Sequence, residues 1–203
     1  MRYFHESYLK IPELVNLKDV PQDPIHHPEG CALTHTLHVI DAMYDISLRE
    51  RFCCGRTHMI MMAALCHDFG KALPENGGST FFNEKKGKWV AYGHEKTGAS
   101  LTRRFLGRFD YSDSFIKKVV CLVEEHMFTV INQKITEKNV GQLRERLRKN
   151  NVFIDDLLFL IEADNSGRPP LPKGPSKNCI ELAKMWEKLF NDKPAILRGR
   201  DVS

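Results

Sequence analysis

The sequence has no long apolar run. None of its segments approaches the roughly 18 uninterrupted apolar residues that a membrane-spanning helix requires, so we expect no membrane partner. The first residues, "MRYFHESYLKIPEL", have no continuous apolar stretch of the kind found in secretory signals, and we expect no such signal. Internal repeats and low-complexity segments are also absent, which disfavours fibrous and disordered classes.

The sequence also has no cysteine pair at metal-knuckle spacing. Its six cysteines stand at positions 31, 53, 54, 66, 121 and 179, and no two form a CxxC motif. In a chain of 203 residues this pattern indicates reduced, mostly buried thiols of a cytoplasmic protein. A structural zinc knuckle is therefore not expected.

Charge and length suggest a single, mildly basic globular domain. A net charge of +4 and a pI near 8.7 are compatible with a phosphate-bearing ligand, but do not by themselves indicate nucleic-acid binding. With 42% hydrophobic residues the chain can bury one substantial core. We expect an N-terminal extension over residues 1–25, packed on a single domain over residues 26–203.

Helical periodicity dominates the rest of the chain and predicts an all-α bundle. Apolar residues recur at helical spacing in seven segments: 31–50, 56–68, 94–109, 112–127, 139–150, 153–165 and 176–191. The segment 56–68 is apolar on nearly all sides, which predicts a buried helix. The 74–93 loop interrupts the pattern, and there we expect at most a small β-hairpin at the rim of the active site.

Four polar residues fall near the ends of predicted helices. They are His35, His67, Asp68 and Asp164, and imidazole nitrogens with carboxylate oxygens form a ligand set suited to Mn, Fe, Ni, Co or Zn. The adjacent pair His67-Asp68 could share one metal only where its helix ends, and Gly70 is a plausible termination signal. For each residue taken singly, helix capping or a buried hydrogen bond remains an equal alternative.

Five ordered motifs carry a resemblance to a known family. The segments "HHPEG…THTLHVIDAM", "AALCHDFGKAL", "GHEKTGASL", "EEHM" and "EADNSGR" resemble the HD-superfamily metal-dependent phosphohydrolases. More narrowly, they are similar to the HD domain on the C-terminal side of bacterial CCA-adding tRNA nucleotidyltransferases. The motifs of the nucleotidyltransferase head have no counterpart here. We therefore expect a freestanding HD module that does not add CCA.

The resemblance implies a metal centre and roles for its neighbours. By position, His35, His67, Asp68 and Asp164 match the family's metal ligands. The expected cofactor is a divalent transition metal (Ni, Mn, Co, Fe or Zn, with Mg as an alternative), as one ion with a second left open. Asp68, Lys71, His94 and His126 match catalytic positions, whereas His27, Lys71, His94, His126 and Arg168 match positions that contact the substrate. Whether His94 and His126 bind a second ion, a phosphate or a proton stays open.

The resemblance also frames the substrate. It implies a metal-dependent phosphoric ester hydrolase that acts on a nucleotide or an RNA-end phosphate, of the 2′,3′-cyclic phosphodiesterase, 2′-nucleotidase or phosphatase type. A deoxynucleoside 5′-monophosphatase, or another nucleotide-hydrolysing HD enzyme, is the alternative within enzymes. An RNA-binding HD module without turnover is the alternative of another class. A homo-oligomer is left open.

One aromatic cluster has two interpretations. Phe81, Phe82, Trp89 and Tyr92 lie in the interrupting loop beside several lysines. They could stack on a nucleobase, but packing of the loop onto the helices is the interpretation that the sequence alone favours.

Overall fold

The chain folds into a helical bundle with one short hairpin. The computed structural model describes residues 10–198. Its helices are α1 (Pro12–Val15), α2 (Ala32–Arg49), α3 (Cys54–Cys66), α4 (His94–Leu106), α5 (Asp113–Glu125), α6 (Phe128–Ile131), α7 (Glu137–Lys149), α8 (Ile154–Ser166) and α9 (Lys177–Phe190). The antiparallel hairpin pairs β1 (Phe81–Asn83) with β2 (Lys88–Val90). The all-α prediction, with a hairpin inside the 74–93 loop, is confirmed.

Helix α3 lies at the centre of the bundle, as its apolar sequence predicts. It contacts α2, α5 and α8, and Ile60, Ala63 and Ala64 are fully buried. Helix α8 contributes Leu157 and Leu158 to the same core. Since burying each large aliphatic side chain contributes about 1.5–3 kcal/mol, the end of α3 is held in a fixed position. None of the helices between residues 10 and 198 is long and apolar enough to cross a membrane.

The segment before α2 is only partly described. Residues 1–9 of the predicted N-terminal extension lie outside the described residues. Within its remainder, Leu14, Leu17 and Val20 are buried in the common core. The boundaries 1–25 and 26–203 stay predictions.

Gly70 serves close packing, and its sequence-based interpretation as a helix terminator needs correction. Helix α3 ends at Cys66, before the predicted limit of residue 68, and Gly70 lies in the short 3-10 turn Phe69–Lys71. A Cβ atom on Gly70 would come within 2.0 Å of the carbonyl oxygen of His94. The missing side chain therefore lets the first turn of α4 approach the backbone that follows Asp68.

Candidate metal centre

Four histidines converge on the carboxylate of Asp68. The Nε2 atoms of His67 and His35 lie 3.2 and 3.7 Å from Oδ2 of Asp68. The Nε2 atoms of His94 and His126 lie 3.4 and 3.8 Å from its Oδ1. All five side chains are buried. Residues from four separate segments are thus brought to one point, as the motif order predicts.

Asp164 joins the cluster from the far end of the chain. Its Oδ1 lies 3.0 Å from Nε2 of His35 and accepts a hydrogen bond from Nη2 of Arg168 at 2.7 Å. Arg168 lies four residues after Asp164, just beyond the C-cap residue Gly167 of α8, and its side chain turns back to this carboxylate. The arginine holds the carboxylate in place beside the histidines.

The histidine rings are oriented by hydrogen bonds on their far sides. Three Nδ1 atoms donate to backbone carbonyls three residues earlier: His67 to Ala64 at 2.8 Å, His94 to Ala91 at 2.8 Å and His126 to Val123 at 2.6 Å. A carbonyl can only accept, so each Nδ1 carries the proton. In a neutral ring the Nε2 atom then presents a lone pair toward Asp68, which is the arrangement of histidine metal ligands.

His35 is oriented by a residue outside the predicted set. Oε1 of Glu29, whose side chain is fully buried, lies 2.7 Å from Nδ1 of His35 and 2.9 Å from Nδ1 of His27. Burial alone would raise the pKa of Glu29, but these two histidine hydrogen bonds lower it to about 2. Burial lowers the pKa of His27 to about 4. Glu29 is part of the "HHPEG" motif, but its contact with His35 is visible only in the folded chain.

The two predicted cations contact carboxylates of the cluster. Nζ of Lys71 lies 2.9 Å from Oδ2 of Asp68 and donates a hydrogen bond to Oε1 of Gln22 at 2.8 Å. Nε of Arg168 is buried and has no hydrogen-bond partner among the described residues. Lys71 therefore holds the Asp68 carboxylate in position.

The electrostatics keep both carboxylates ionised. Burial would raise the pKa of Asp68, yet His67 and Lys71 hold it well below its ordinary value. Burial would likewise raise the pKa of Asp164, but Arg168 and the hydrogen bond from His35 hold it well below that value. Burial, with the adjacent His94 and His67, lowers the pKa of His126 to about 3. The centre thus combines ionised carboxylates with a neutral imidazole.

Unpartnered buried atoms at this point fit a divalent cation. Nε2 of His67 and Oδ1 of Asp68 have no hydrogen-bond partner within residues 10–198, while Oδ2 of Asp68 forms an ion pair with Lys71. Each unpartnered atom costs about 1–3 kcal/mol in a core, and a cation would satisfy both. Two triads of potential ligands share Asp68: His35–His67–Asp68 and Asp68–His94–His126. The nitrogen and oxygen donors suit Mn, Fe, Co, Ni or Zn, and leave the identity of the metal undetermined.

The structure brings every predicted site residue into this one neighbourhood. His27 reaches it through Glu29, whereas Lys71 and Arg168 reach it through Asp68 and Asp164. The assignments as ligand, catalytic group or substrate contact remain predictions.

Comparisons with known proteins show the family to which the chain is similar. The family model described as "HD domain" matches residues 32–166. A "Multifunctional CCA protein" of Halorhodospira halophila is 49% identical over 165 residues, covering 78% of this chain and 34% of the relative. A "CC-adding tRNA nucleotidyltransferase" of Thermus thermophilus is 26% identical over 199 residues, covering 95% of this chain and 40% of the relative. A "Multifunctional CCA protein" of Pasteurella multocida is 30% identical over 162 residues, covering 77% of this chain and 35% of the relative. The chain thus spans between a third and two fifths of the length of these relatives.

Proposed function

We propose that the metal centre hydrolyses nucleotide phosphate esters. The premise is that this chain belongs to the HD-domain family of metal-dependent phosphohydrolases. The activity would be of the 2′,3′-cyclic phosphodiesterase, 2′-nucleotidase or phosphatase type. The observation that carries this proposal is the convergence of buried histidines on Asp68, where Nε2 of His67 and Oδ1 of Asp68 have no hydrogen-bond partner among the described residues. The name of the Thermus thermophilus relative, a tRNA nucleotidyltransferase, supports an RNA or a nucleotide as the substrate.

His35, His67, Asp68 and Asp164 would hold the ion. When bound, a divalent metal would lower the pKa of a coordinated water toward ~7 and polarise a phosphoryl oxygen. Lys71 and Arg168 contribute positive charge beside the two carboxylates, where a phosphate would otherwise be repelled. The buried surroundings strengthen these interactions because little water screens them.

His94 and His126 would complete the site on the other side of Asp68. Their Nε2 atoms lie 3.3 Å apart, and both Nδ1 protons are committed to backbone carbonyls. Because the lowered pKa of His126 keeps it neutral near pH 7, it offers a lone pair and not a proton. This favours a second cation, or a water, near Oδ1 of Asp68 over acid catalysis by His126.

A substrate panel tests the proposal. The protein is stripped with a chelator, reloaded with one metal at a time, and assayed against nucleoside 2′-, 3′- and 5′-monophosphates, 2′,3′-cyclic nucleotides and deoxynucleotides. We expect turnover of the 2′- or cyclic phosphates. Asp68→Ala should lower this turnover by more than about 100-fold, which exceeds the effect of removing a group that only orients a metal ligand. Asp156→Asn is the matched control, since Asp156 is equally buried but pairs with Arg56.

Each other outcome selects an alternative. Preference for deoxynucleoside 5′-monophosphates would identify the other nucleotidase type. Turnover that survives Asp68→Ala would contradict the metal mechanism. RNA binding that chelator does not weaken, without turnover, would identify a binding module.

We also propose that the protein acts in the cytoplasm. All six cysteines are free thiols, and burial raises the pKa of Cys66 and Cys121, which keeps both protonated and unreactive. Such thiols are typical of proteins in a reducing compartment.

A further inference from the structure

The hairpin is anchored at both ends to residues of the metal centre. Before β1, the amides of Ser79 and Thr80 donate to the carbonyls of Gly70 and Ala72, on either side of Lys71. After β2, the carbonyl of Ala91 accepts the hydrogen bond that orients His94. Phe81 and Tyr92 each lie one residue beyond these anchors. The hairpin therefore stands at the rim of the centre, as its place in the sequence predicts.

Alternation along the strands separates the aromatic side chains into two sets. Phe82 pairs across the hairpin with Trp89, and their rings lie 5.5 Å apart. Phe81 pairs with Val90 and so points to the opposite face, where its ring lies 6.1 Å from that of Tyr92. Phe81 and Tyr92 thus form one aromatic surface next to the centre.

These two rings are exposed, contrary to the packing that the sequence alone favours. Phe81 is 44% and Tyr92 is 55% exposed, and Phe82 on the other face is 48% exposed. Only Trp89 is half-buried. Exposed aromatic rings close to a polar centre favour a ligand with a flat apolar face.

Two lysines lie beside the aromatic surface, and one of them is paired with a carboxylate. Nζ of Lys86 lies 5.2 Å from the centroid of the Tyr92 ring and donates a hydrogen bond to its hydroxyl at 2.7 Å. Lys88 lies on the same face as Phe81 and forms an ion pair with Asp23. Between residues 84 and 88 the sequence "EKKGK" has three lysines against one glutamate. This charge suits a polyanion whose bases are free to stack.

Resting on the phosphohydrolase function above, we propose that Phe81 and Tyr92 form a stacking subsite for single-stranded RNA whose terminal phosphate lies at the metal centre. Aromatic rings bind successive bases without strong sequence preference, while lysines follow the phosphates. The subsite would select an RNA end over a phosphate ester that lacks a base. It gives the proposed hydrolysis a substrate class that the metal ligands alone do not define.

Direct binding tests the subsite without hydrolysis. A short single-stranded RNA with a terminal phosphate and a 2-aminopurine next to it is titrated into chelator-treated protein, and its fluorescence reports stacking. We expect Phe81→Ala and Tyr92→Leu each to weaken binding by at least about fivefold, the loss of one base–aromatic stack. Lys86→Gln should reduce the slope of the logarithm of the RNA-binding constant against the logarithm of the salt concentration by about one.

Phe153→Ala is the matched control. Phe153 is 69% exposed, but it precedes α8, whereas Asp164 lies 11 residues further along the chain, roughly 16 Å away at 1.5 Å per helical residue. Its replacement should leave binding unchanged. Equal binding by wild type, Phe81→Ala and Tyr92→Leu would overturn the subsite. The subsite would also be overturned if the protein were a dimer that these variants dissociate, because the Phe81 and Tyr92 surface would then be an interface between copies.

Turnover separates this inference from the proposed function. If the protein is active, Phe81→Ala and Tyr92→Leu should lower kcat/KM for the RNA substrate while leaving glycerol 2-phosphate unaffected. An equal loss on both substrates would contradict a base-specific role. If no ester is hydrolysed, the proposed function fails, yet the binding titration still decides whether the rings stack on RNA. A mononucleotide that competes as well as the RNA would overturn the single-stranded choice.

Discussion

Two ends of the same three helices form very different sites. The first residues of α3, α5 and α8 surround a surface cavity of about 600 Å³, lined among others by Arg56, Ser112, Phe115, Lys118, Phe153 and Asp156. The last residues of these helices, or those immediately after them, supply His67, His126 and Asp164 to the metal centre. This cavity therefore lies at the end opposite the centre.

Buried aspartates at the two ends have opposite pKa shifts. At the cavity, burial raises the pKa of Asp156, and the partly exposed Arg56, together with Lys118, offsets only part of that effect. At the centre, His67 and Lys71 outweigh burial and lower the pKa of Asp68. Cavity volume alone is therefore a poor indicator of a functional site. Buried carboxylates that stay ionised, and buried polar atoms without hydrogen-bond partners, are better indicators.

The direction of the helices adds to this difference. Helix C-termini carry partial negative charge, so three of them pointing at one place favour a cation. The N-termini at the cavity favour negative groups, and Asp155 and Asp156 in the first turn of α8 supply them. The arrangement thus favours a cation at one end, while at the other end acidic side chains offset the partial positive charge of the helix N-termini.

The sharpest test replaces two buried glutamates, one that contacts a histidine of the centre and one that does not. Glu29→Gln should lower metal affinity by about 10- to 100-fold, because an oxygen that orients His35 loses its charge. Glu162→Gln is the control, since Glu162 is also buried but its carboxylate pairs with Arg49. Competition with a chromophoric chelator measures both affinities. Equal losses would show that buried glutamates serve only folding, and would remove the proposed orienting role of Glu29.

Much of the fold could be predicted because it depends on local pattern. The helical period of the apolar residues predicts α2 to α5 and α7 to α9 to within a few residues, and Ser112 caps α5 by accepting from the amide of Phe115. The short α6 begins at Phe128, beyond the predicted helix at 112–127, and was not predicted. Four residues give too little periodicity to be recognised.

The site was predictable as a set of residues but not as a geometry. Spacing alone could not bring Asp164 to His35 across 129 positions, and the resemblance supplied that link. The roles of Glu29 and Gly70 depend on contacts between segments distant in sequence, with His35 and His94 respectively. The hairpin was expected, but the exposure of its rings is a property of the folded chain alone.

A pH titration sharpens the comparison through His126. Its pKa is about 3 in the folded protein and about 6.5 when unfolded, so between these values only the unfolded chain binds the proton. The stability associated with neutral His126 is therefore complete above pH 6.5 and falls as the pH is lowered. Between pH 7 and 5, the unfolding free energy of the metal-free wild-type protein should fall by about 2 kcal/mol more than that of His126→Gln.

Urea unfolding at each pH, with chelator present, measures this difference. His58→Gln is the control because His58 is exposed near the cavity end, where its ring is hydrogen-bonded to Tyr111. It should follow the wild-type pH profile. A wild-type profile no steeper than that of His126→Gln would mean that His126 is not held neutral.

The smallest expected effect is at the cavity, where Arg56→Met tests whether that region has only a structural role. The change removes the hydrogen-bonded ion pair with Asp156 and the cation–π contact with Phe52, whose ring centroid lies 4.1 Å away. Because Arg56 is partly exposed and Asp156 can take up a proton, the unfolding free energy at pH 7 should fall by only about 1 kcal/mol. Metal affinity and turnover should not change, since both depend on the opposite helix ends. A tenfold loss of turnover at unchanged metal affinity would instead make the cavity part of the catalytic apparatus, and the contrast between the two helix ends would fail.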